Sequence, residues 1–165
     1  FIDNEWTEGI PIHEDGWEIK GCPVNGPNID SNGENVVVSW FSASNGRPKV
    51  NLKFSKDSGR TFGDKILIDD TDNSPIGRVD VEFISSDEVL ISWLSTIQGK
   101  GKLLMRKVNI NGELGEIKVI DEVSTERSTG FPQIEEYNND LYISWTDNSE
   151  GSKKVNLTTI PLSSL

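Results

Sequence analysis

The sequence predicts an all-β fold made of repeated antiparallel sheets, and three observations support this prediction. Short apolar phrases end in Ser-Trp at Trp40, Trp93 and Trp145, roughly fifty residues apart. Alternating apolar and polar runs lie on either side of each phrase, separated by the Gly, Asn, Asp and Ser residues that are typical of turns. No segment of helical length shows the apolar period of an α-helix. One β-unit is therefore expected to recur along the chain.

The length of the repeat matches one four-stranded blade of a β-propeller, in which such sheets are arranged around an axis. Each unit contains a Gly-led strand, the Ser-Trp strand, a third alternating strand and a fourth strand after a turn, named A to D in chain order. The B strands cover 36–40, 89–93 and 141–145, the C strands 49–54, 102–108 and 154–158, and the D strands 66–69 and 117–121. We therefore predict three four-stranded antiparallel blades in one partial propeller domain, 1–165, with repeats near 22–70, 74–121 and 127–165. An earlier copy of the D phrase predicts an orphan strand at 8–20.

The segment from Ser55 to Phe62 predicts a tight turn between the C and D strands of the first unit. Asp57 is placed to accept hydrogen bonds from backbone N–H groups of its own turn. Gly59 supplies a position where φ can be positive. Thr61 re-enters a strand, and Phe62 can fold back as an apolar plug beneath the turn. These residues are therefore assigned a structural role.

The pattern Ser-x-Asp-x-Gly-x-Thr-aromatic at 55–62 is the Asp-box, and the chain resembles the sialidase-superfamily propellers that carry this BNR repeat. The run from Gly21 to Pro27, followed by a Ser-Trp strand, is similar to an uncharacterised bacterial exo-sialidase-like branch. The resemblance implies an Asp-box propeller and favours a secreted, periplasmic or cell-surface protein. An Asp-box shapes a turn and has no chemistry of its own.

Three blades cannot close a ring, because closed propellers typically have four to eight. Open blade edges are also prone to pair with other chains. Two explanations are open. Either the chain is about half of a six-bladed propeller with a missing second half, or two copies associate, each orphan D strand completing the last blade of the other. A molecular-mass measurement separates the two.

A site is expected on the face where the D-to-A and B-to-C connections meet. Sialidases of this fold, as the resemblance implies, hold a substrate carboxylate with arginines, because the planar guanidinium matches a carboxylate. Arg78 and Arg127, near the starts of A strands, and Arg47, in a B-to-C loop, are therefore the candidate substrate-binding residues. Asp80 is the candidate catalytic residue, and it could also orient Arg78 from the same strand face. The alternative assigns these arginines to contacts between blades.

Two functions are compatible with these residues. The first is a carbohydrate-active protein of the sialidase superfamily, a possible glycoside hydrolase of exo-sialidase type acting on acidic sugars, with a catalytic set that is incomplete in this chain. The second is a non-catalytic propeller that binds a glycan or a protein partner. Its support is that Tyr137 and Tyr142 fall in predicted strands and not in the loops expected to form a site, so the tyrosine nucleophile that the resemblance implies is not identified.

The composition of the chain disfavours several classes of binding partner. The formal net charge is −11, and a negative field repels nucleic acid and anionic lipid. No apolar run is long enough to span a membrane. The chain has one cysteine and one histidine, which excludes an internal disulfide and argues against a Cys- or His-based metal site. We therefore expect no cofactor, no metal, no nucleic acid and no membrane partner.

Overall fold

A computed structural model describes residues 4–19, 24–148 and 151–165, and these ranges contain three antiparallel sheets. Sheet 1 contains Asn28–Asn32 (β1), Asn35–Ser42 (β2), Lys49–Ser55 (β3) and Ile66–Leu67 (β4). Sheet 2 contains Ser74–Phe83 (β5), Glu88–Ile97 (β6), Lys100–Asn109 (β7) and Lys118–Val123 (β8). Sheet 3 contains Gln133–Tyr137 (β9), Asp140–Asp147 (β10) and Lys154–Pro161 (β11). Short 3-10 turns occur at Ser44–Gly46 and Leu162–Ser164.

The strands follow one another in space as they do in sequence, so the prediction of an all-β chain of repeated antiparallel sheets is confirmed. Each Ser-Trp phrase forms a middle strand. The register repeats as well: Trp40 lies opposite Asn51, Trp93 opposite Leu104, and Trp145 opposite Asn156. Positions can therefore be compared between sheets residue by residue. Sheet 3 has three strands within the described residues, where sheets 1 and 2 have four.

The core lies in two layers between the sheets. Val37, Leu52 and Trp93 belong to the layer between sheets 1 and 2. Leu94 and Trp145 belong to the layer between sheets 2 and 3. The middle sheet thus buries apolar residues on both of its faces. Each fully buried large side chain stabilises the stack by about 1.5–3 kcal/mol.

The turn at 55–62 is closed by side chain to backbone hydrogen bonds. The Ser55 Oγ accepts from the Gly59 N–H at 2.9 Å, and the Asp57 carboxylate accepts from the N–H and hydroxyl of Thr61 at 2.8 and 2.6 Å. Gly59 has a φ of +79°, which the absent Cβ permits. Hydrogen bonds from Thr61 and Ser55 lower the pKa of Asp57 to about 2. Phe62 is half-buried at the end of this turn.

The predicted orphan strand at 8–20 is not formed in its described part, residues 8–19. The segment instead lies over the outer face of sheet 1, where the His13 ring is 5.4 Å from that of Trp40 and the Lys53 Nζ donates to the Ile12 carbonyl at 3.0 Å. A segment becomes a β-strand when it pairs with the free backbone edge of a sheet. This segment lies on the face of sheet 1 and pairs with no edge there. Residues 8–19 thus form no strand within this chain, and the pairing of this segment with a second copy stays a prediction.

Two further results concern partners. No helix in the described ranges is long and apolar enough to cross a bilayer. The described residues also contain no group of three or more His, Cys, Asp or Glu side chains that could hold a metal ion. Cys22 lies outside the described residues.

Candidate functional site

Arg78 connects sheet 2 to the loop that leads into sheet 3. Its guanidinium is buried and donates to the carbonyl of Thr129, and to that of Glu126 at 2.8 Å. Burial lowers the pKa of Arg78 from its usual value. The observed partners are main-chain groups of the neighbouring unit, as the alternative of a contact between blades predicts. A role in substrate binding stays a prediction for this residue.

The backbone at Arg78 explains why it does not face Asp80. Gly77 and Arg78 both have positive φ, at +93° and +55°, and the pairing of β5 with β6 shifts register between Gly77 and Asp80. The Asn25 side chain holds this bulge by accepting from the Arg78 N–H at 2.9 Å and donating to the Ile76 carbonyl at 2.9 Å. A bulge interrupts the alternation of side chains along a strand. The expected pairing of Asp80 with Arg78 is therefore wrong.

Asp80 instead joins the inner strands of two sheets. Its carboxylate accepts from the Ile134 N–H in β9 at 2.7 Å and from the Val81 N–H at 3.1 Å. Asp30, which has the register position of Glu82 and not of Asp80, makes a similar contact one sheet earlier and accepts from the Phe83 N–H in β5 at 2.7 Å. This recurrence identifies a structural device between units. The catalytic role of Asp80 stays a prediction.

Carboxyl groups with raised pKa values lie along β5. Burial raises the pKa of Asp80 to about 6, against the hydrogen bonds it accepts. Burial, with the nearby charges of Asp30 and Glu135, raises the pKa of Glu82 to about 7. Carboxyl groups that keep a proton near neutral pH are able to act as general acids. Glu82 was not singled out from the sequence, because its burial between strands is not visible there.

Arg127 and the two tyrosines make no hydrogen bond or ion pair with Arg78 within the described residues. Arg127 is exposed and forms no hydrogen bond or ion pair within the described residues. It lies in the loop whose carbonyls Arg78 contacts, so the two arginines are near one another in the chain fold. Tyr137 is 63% exposed at the end of β9, and Tyr142 lies within β10.

Arg47 lies in a polar cleft of about 590 Å³ beside sheet 1. The cleft lies where the loop after β2 meets residues 13–15 and the start of β4. It carries three cationic side chains, Arg47, Lys49 and Lys65, and two acidic ones, Glu14 and Asp15. The Arg47 guanidinium is exposed and has no partner among the described residues. The structure thus places Arg47 apart from Arg78 and Arg127.

Asn51 gives this cleft a buried amide without a partner. Its side chain is 2% exposed, and its Oδ1 accepts no hydrogen bond within the described residues. The buried Nε2 of His13, which also lines the cleft, is likewise unpaired. An unpaired buried polar group costs about 1–3 kcal/mol, so such groups in a native protein require an explanation. Both residues line the cleft, and both atoms lack a partner within the described residues.

Asp15 forms the acidic wall of the same cleft. Burial acts to raise the pKa of Asp15, but hydrogen bonds from Ser42, the Trp17 backbone and Trp40 outweigh it, and the pKa lies below its usual value. Asp15 is therefore a fixed negative charge at neutral pH. It was missed from the sequence, although it stands before Trp40 as Asp69 stands before Trp93. The Trp93 indole donates to Asp69 at 3.0 Å.

Solved structures share this fold. Neither a protein-family model nor a curated protein matches the chain. A thermostable family-43 glycoside hydrolase has a TM-score of 0.59 at 15% sequence identity, over 82% of this chain and 51% of that one. A Hadza microbial sialidase has 0.53 at 17% identity, over 84% of this chain and 33% of that one. A sialidase from Streptococcus pneumoniae has 0.49 at 17% identity, over 86% of this chain and 23% of that one.

The first two structures define the class of fold. The chain has the sialidase-like propeller fold of glycoside hydrolases, so the predicted propeller architecture is confirmed. It spans about half of the family-43 hydrolase and a third of the microbial sialidase. At these identities the likeness concerns the fold, and function has to be argued from the site.

Proposed function

We propose that this chain is the acidic-sugar-binding part of a sialidase-like, carbohydrate-active propeller of glycoside-hydrolase type, with a catalytic set that is incomplete in this chain. The observation that carries the proposal is the cleft at Arg47, where a guanidinium without a partner lies near the buried, unpaired amide of Asn51. Fold neighbours described as a glycoside hydrolase and a sialidase support the class.

The cleft offers an acidic sugar two kinds of contact. A sugar carboxylate can form a bidentate pair with Arg47, with Lys65 as a second positive charge. A sugar hydroxyl can donate to the Asn51 Oδ1, which satisfies an atom that is buried and unpaired in the free protein. Asp15 and Glu14 can accept from other hydroxyl groups. A neutral sugar would use the second set of contacts alone and should bind more weakly.

The turn at 55–62 is assigned as an Asp-box of the bacterial exo-sialidase-like branch. Its support is the set of hydrogen bonds that Ser55 and Asp57 accept within the turn. It lies between β3 and β4, at the opposite end of β3 from the loop of Arg47. Its role is to hold the turn, and it takes no part in sugar binding.

A binding module without catalysis is the second candidate function. It is favoured because the two carboxylate oxygens of Asp80 accept from backbone N–H groups, so its carboxylate is engaged in holding strands together. Glycoside hydrolysis generally needs two carboxyl groups, or a tyrosine and a carboxyl group, flanking one bond. The raised pKa values of Asp80 and Glu82 support the opposite assignment, a general acid on β5.

Calorimetric titration with N-acetylneuraminic acid, glucuronic acid and glucose tests the binding proposal. The two acidic sugars should bind and glucose should bind at least tenfold more weakly. Arg47→Met and Asn51→Leu should each weaken acidic-sugar binding tenfold or more, about 1.4 kcal/mol. Arg60→Met, an exposed arginine in the distant turn, is the matched control and should bind as the wild type does. Equal losses in Arg47→Met and Arg60→Met would contradict the proposal.

A fluorogenic sialoside assay separates the two candidate functions. Turnover that Asp80→Asn or Glu82→Gln abolishes would favour a hydrolase that uses β5. Saturable binding of acidic sugar without turnover would favour the binding module. Arg127→Met in the same assays tests whether the second exposed arginine contributes.

A further inference from the structure

Two apolar residues on the outer face of sheet 3, Val155 and Leu157, are uncovered where the equivalent residues of the other sheets are buried. The shared register makes Val155 equivalent to Val50 and Leu103, and Leu157 equivalent to Leu52 and Met105. The four residues in sheets 1 and 2 are at most 1% exposed, because the next sheet covers them. Val155 is 80% exposed and Leu157 is 67% exposed. At these two positions, sheet 3 therefore carries the residue type that the other sheets bury in the contact with the next sheet.

The opposite end of the stack presents the complementary surface. Trp93 and Trp145 are buried against the sheet that precedes them, and Trp40 occupies the same position on the outer face of sheet 1. Residues 12–17 cover that face only in part, because Trp40 stays half-buried beneath them. Sheet 1 thus has the surface that a preceding sheet would bury.

Residues 12–15 already hold the place of the last strand of a preceding sheet. The Arg106 guanidinium in β7 donates to the Ile68 carbonyl just after β4 at 2.7 Å. Lys53, at the same position in β3, donates to the Ile12 carbonyl at 3.0 Å. Asp15 contacts Trp40 as Asp69 contacts Trp93. The segment therefore contacts sheet 1 as β4 and its following residues contact sheet 2.

The backbone edges of the two ends also correspond. β4 pairs with β3, and β8 pairs with β7, in sheets 1 and 2. In sheet 3, β11 is an edge strand within the described residues. Residues 8–19 form no ladder in the same description. The sheet 3 end thus has an unpaired edge at β11. The sheet 1 end has residues 8–19 in the place where the fourth strand of a preceding sheet would lie.

We propose that a second copy of this chain joins the two ends, in a closed head-to-tail dimer. Residues 8–19 of each copy pair along β11 of the other as its fourth strand. The outer face of sheet 1 then covers Val155 and Leu157 of the other copy. A two-fold axis makes the two junctions identical, and the ring contains six sheets, within the four to eight of closed propellers. The proposal does not depend on sugar binding.

Analytical ultracentrifugation of the 165-residue chain between 1 and 100 µM, a range of about 10²-fold around typical micromolar affinities, tests the dimer. The expected species has twice the monomer mass of 18.3 kDa. Leu157→Glu should weaken dimerisation at least 100-fold while the monomer stays folded, because the side chain is already exposed. Val119→Glu, at another exposed strand residue, which lies in sheet 2, is the control and should leave the dimer intact. Circular dichroism checks the fold of both variants.

Three results would overturn the proposal. The first is a monomer throughout the concentration range, which would favour a longer chain that supplies further sheets itself. The second is a dimer that Leu157→Glu leaves unchanged. The third is a series of open, growing oligomers, because a closed ring stops at two copies. A dimer lost in Leu157→Glu and kept in Val119→Glu supports it.

Discussion

An aspartate contacts a tryptophan indole both at the boundary between sheets 1 and 2 and on the open side of sheet 1. The two tryptophans differ in how deeply they are buried. At the boundary, Asp69 holds the indole of Trp93; on the open side, Asp15 does so for Trp40. Trp93 is fully buried, whereas Trp40 is half-buried. The repeated residues are alike, so the difference arises from what covers them.

The same comparison explains where the polar cleft is found. Leu104 lies opposite Trp93 and is fully buried in the apolar layer. Asn51 lies opposite Trp40 and is buried with an unpaired amide. A covered position favours an apolar residue, because an unpaired polar group there has no access to water or ligand. A position beside a cleft can hold a polar group that a ligand satisfies.

The largest expected effect on the free energy of unfolding comes from placing Asn at position 104 and Leu at position 51. Leu104→Asn should lower the free energy of unfolding by about 3–5 kcal/mol, because it removes buried apolar contacts and adds an unpaired amide. Asn51→Leu should change it by less than about 1 kcal/mol, or raise it, because an unpaired amide is removed. Urea unfolding measures both. A loss above about 2 kcal/mol in Asn51→Leu would mean that the Asn51 amide has a structural partner.

Arg78 in β5 and Arg127 in the loop before β9 form the second pair. Arg78→Met should lower the free energy of unfolding by about 2–4 kcal/mol, because the Thr129 and Glu126 carbonyls lose charge-assisted hydrogen bonds. Arg127→Met should change it by no more than about 0.5 kcal/mol, as expected for an exposed side chain. Thermal and urea unfolding test the pair. Similar stabilities for the two variants would show that Arg78 is free to bind a ligand.

The sequence predicted the fold better than the site, and the reason is physical. The spacing of Trp40, Trp93 and Trp145 reflects a repeated core position, and core burial constrains sequence strongly. The faces that Arg78 and Asp80 present depend on a bulge with positive φ at Arg78. Strict alternation, which the prediction assumed, does not apply across a bulge.

The cleft at Arg47 could be predicted only in part. Arg47 was a candidate because it lies in a connecting loop, where binding residues concentrate. Asn51 was hidden within an alternating strand, and its burial without a partner depends on residues 13–15, which are distant in sequence. A residue-by-residue comparison of Asn51 with Leu104 would have raised the question. It could not have shown that the amide is unpaired.

The aspartates that hold the tryptophans should show a smaller contrast. Asp69→Ala should lower the free energy of unfolding by about 1–3 kcal/mol, because the buried Trp93 indole loses its acceptor. Asp15→Ala should lower it by under about 1 kcal/mol, because Trp40 is half-buried and water can replace the carboxylate. Tryptophan fluorescence during urea unfolding follows both. Equal losses would indicate that residues 12–17 cover Trp40 as fully as a sheet does.

The smallest expected effect is the pH dependence of the free energy of unfolding. It arises from two carboxyl groups of β5 whose pKa values differ between the folded and the unfolded chain. Burial raises the pKa of Asp80 to about 6 and, with nearby acidic groups, that of Glu82 to about 7. In the unfolded chain both groups ionise near their ordinary values of about 4. Between pH of about 4 and 7 the folded state therefore binds more protons than the unfolded state. The free energy of unfolding should fall as pH rises through this window.

The double variant Asp80→Asn, Glu82→Gln isolates this contribution. It should flatten the profile by about 1–2 kcal/mol over the window, a value reduced from the full shift because Glu82 is only half-buried. Urea unfolding at half-unit pH steps gives the profiles, with each single variant as the internal control. A double variant whose profile parallels the wild type would show that both carboxyl groups ionise normally in the fold. Asp80 and Glu82 would then lack the raised pKa values that make them candidates for a general acid, and the binding function would be favoured.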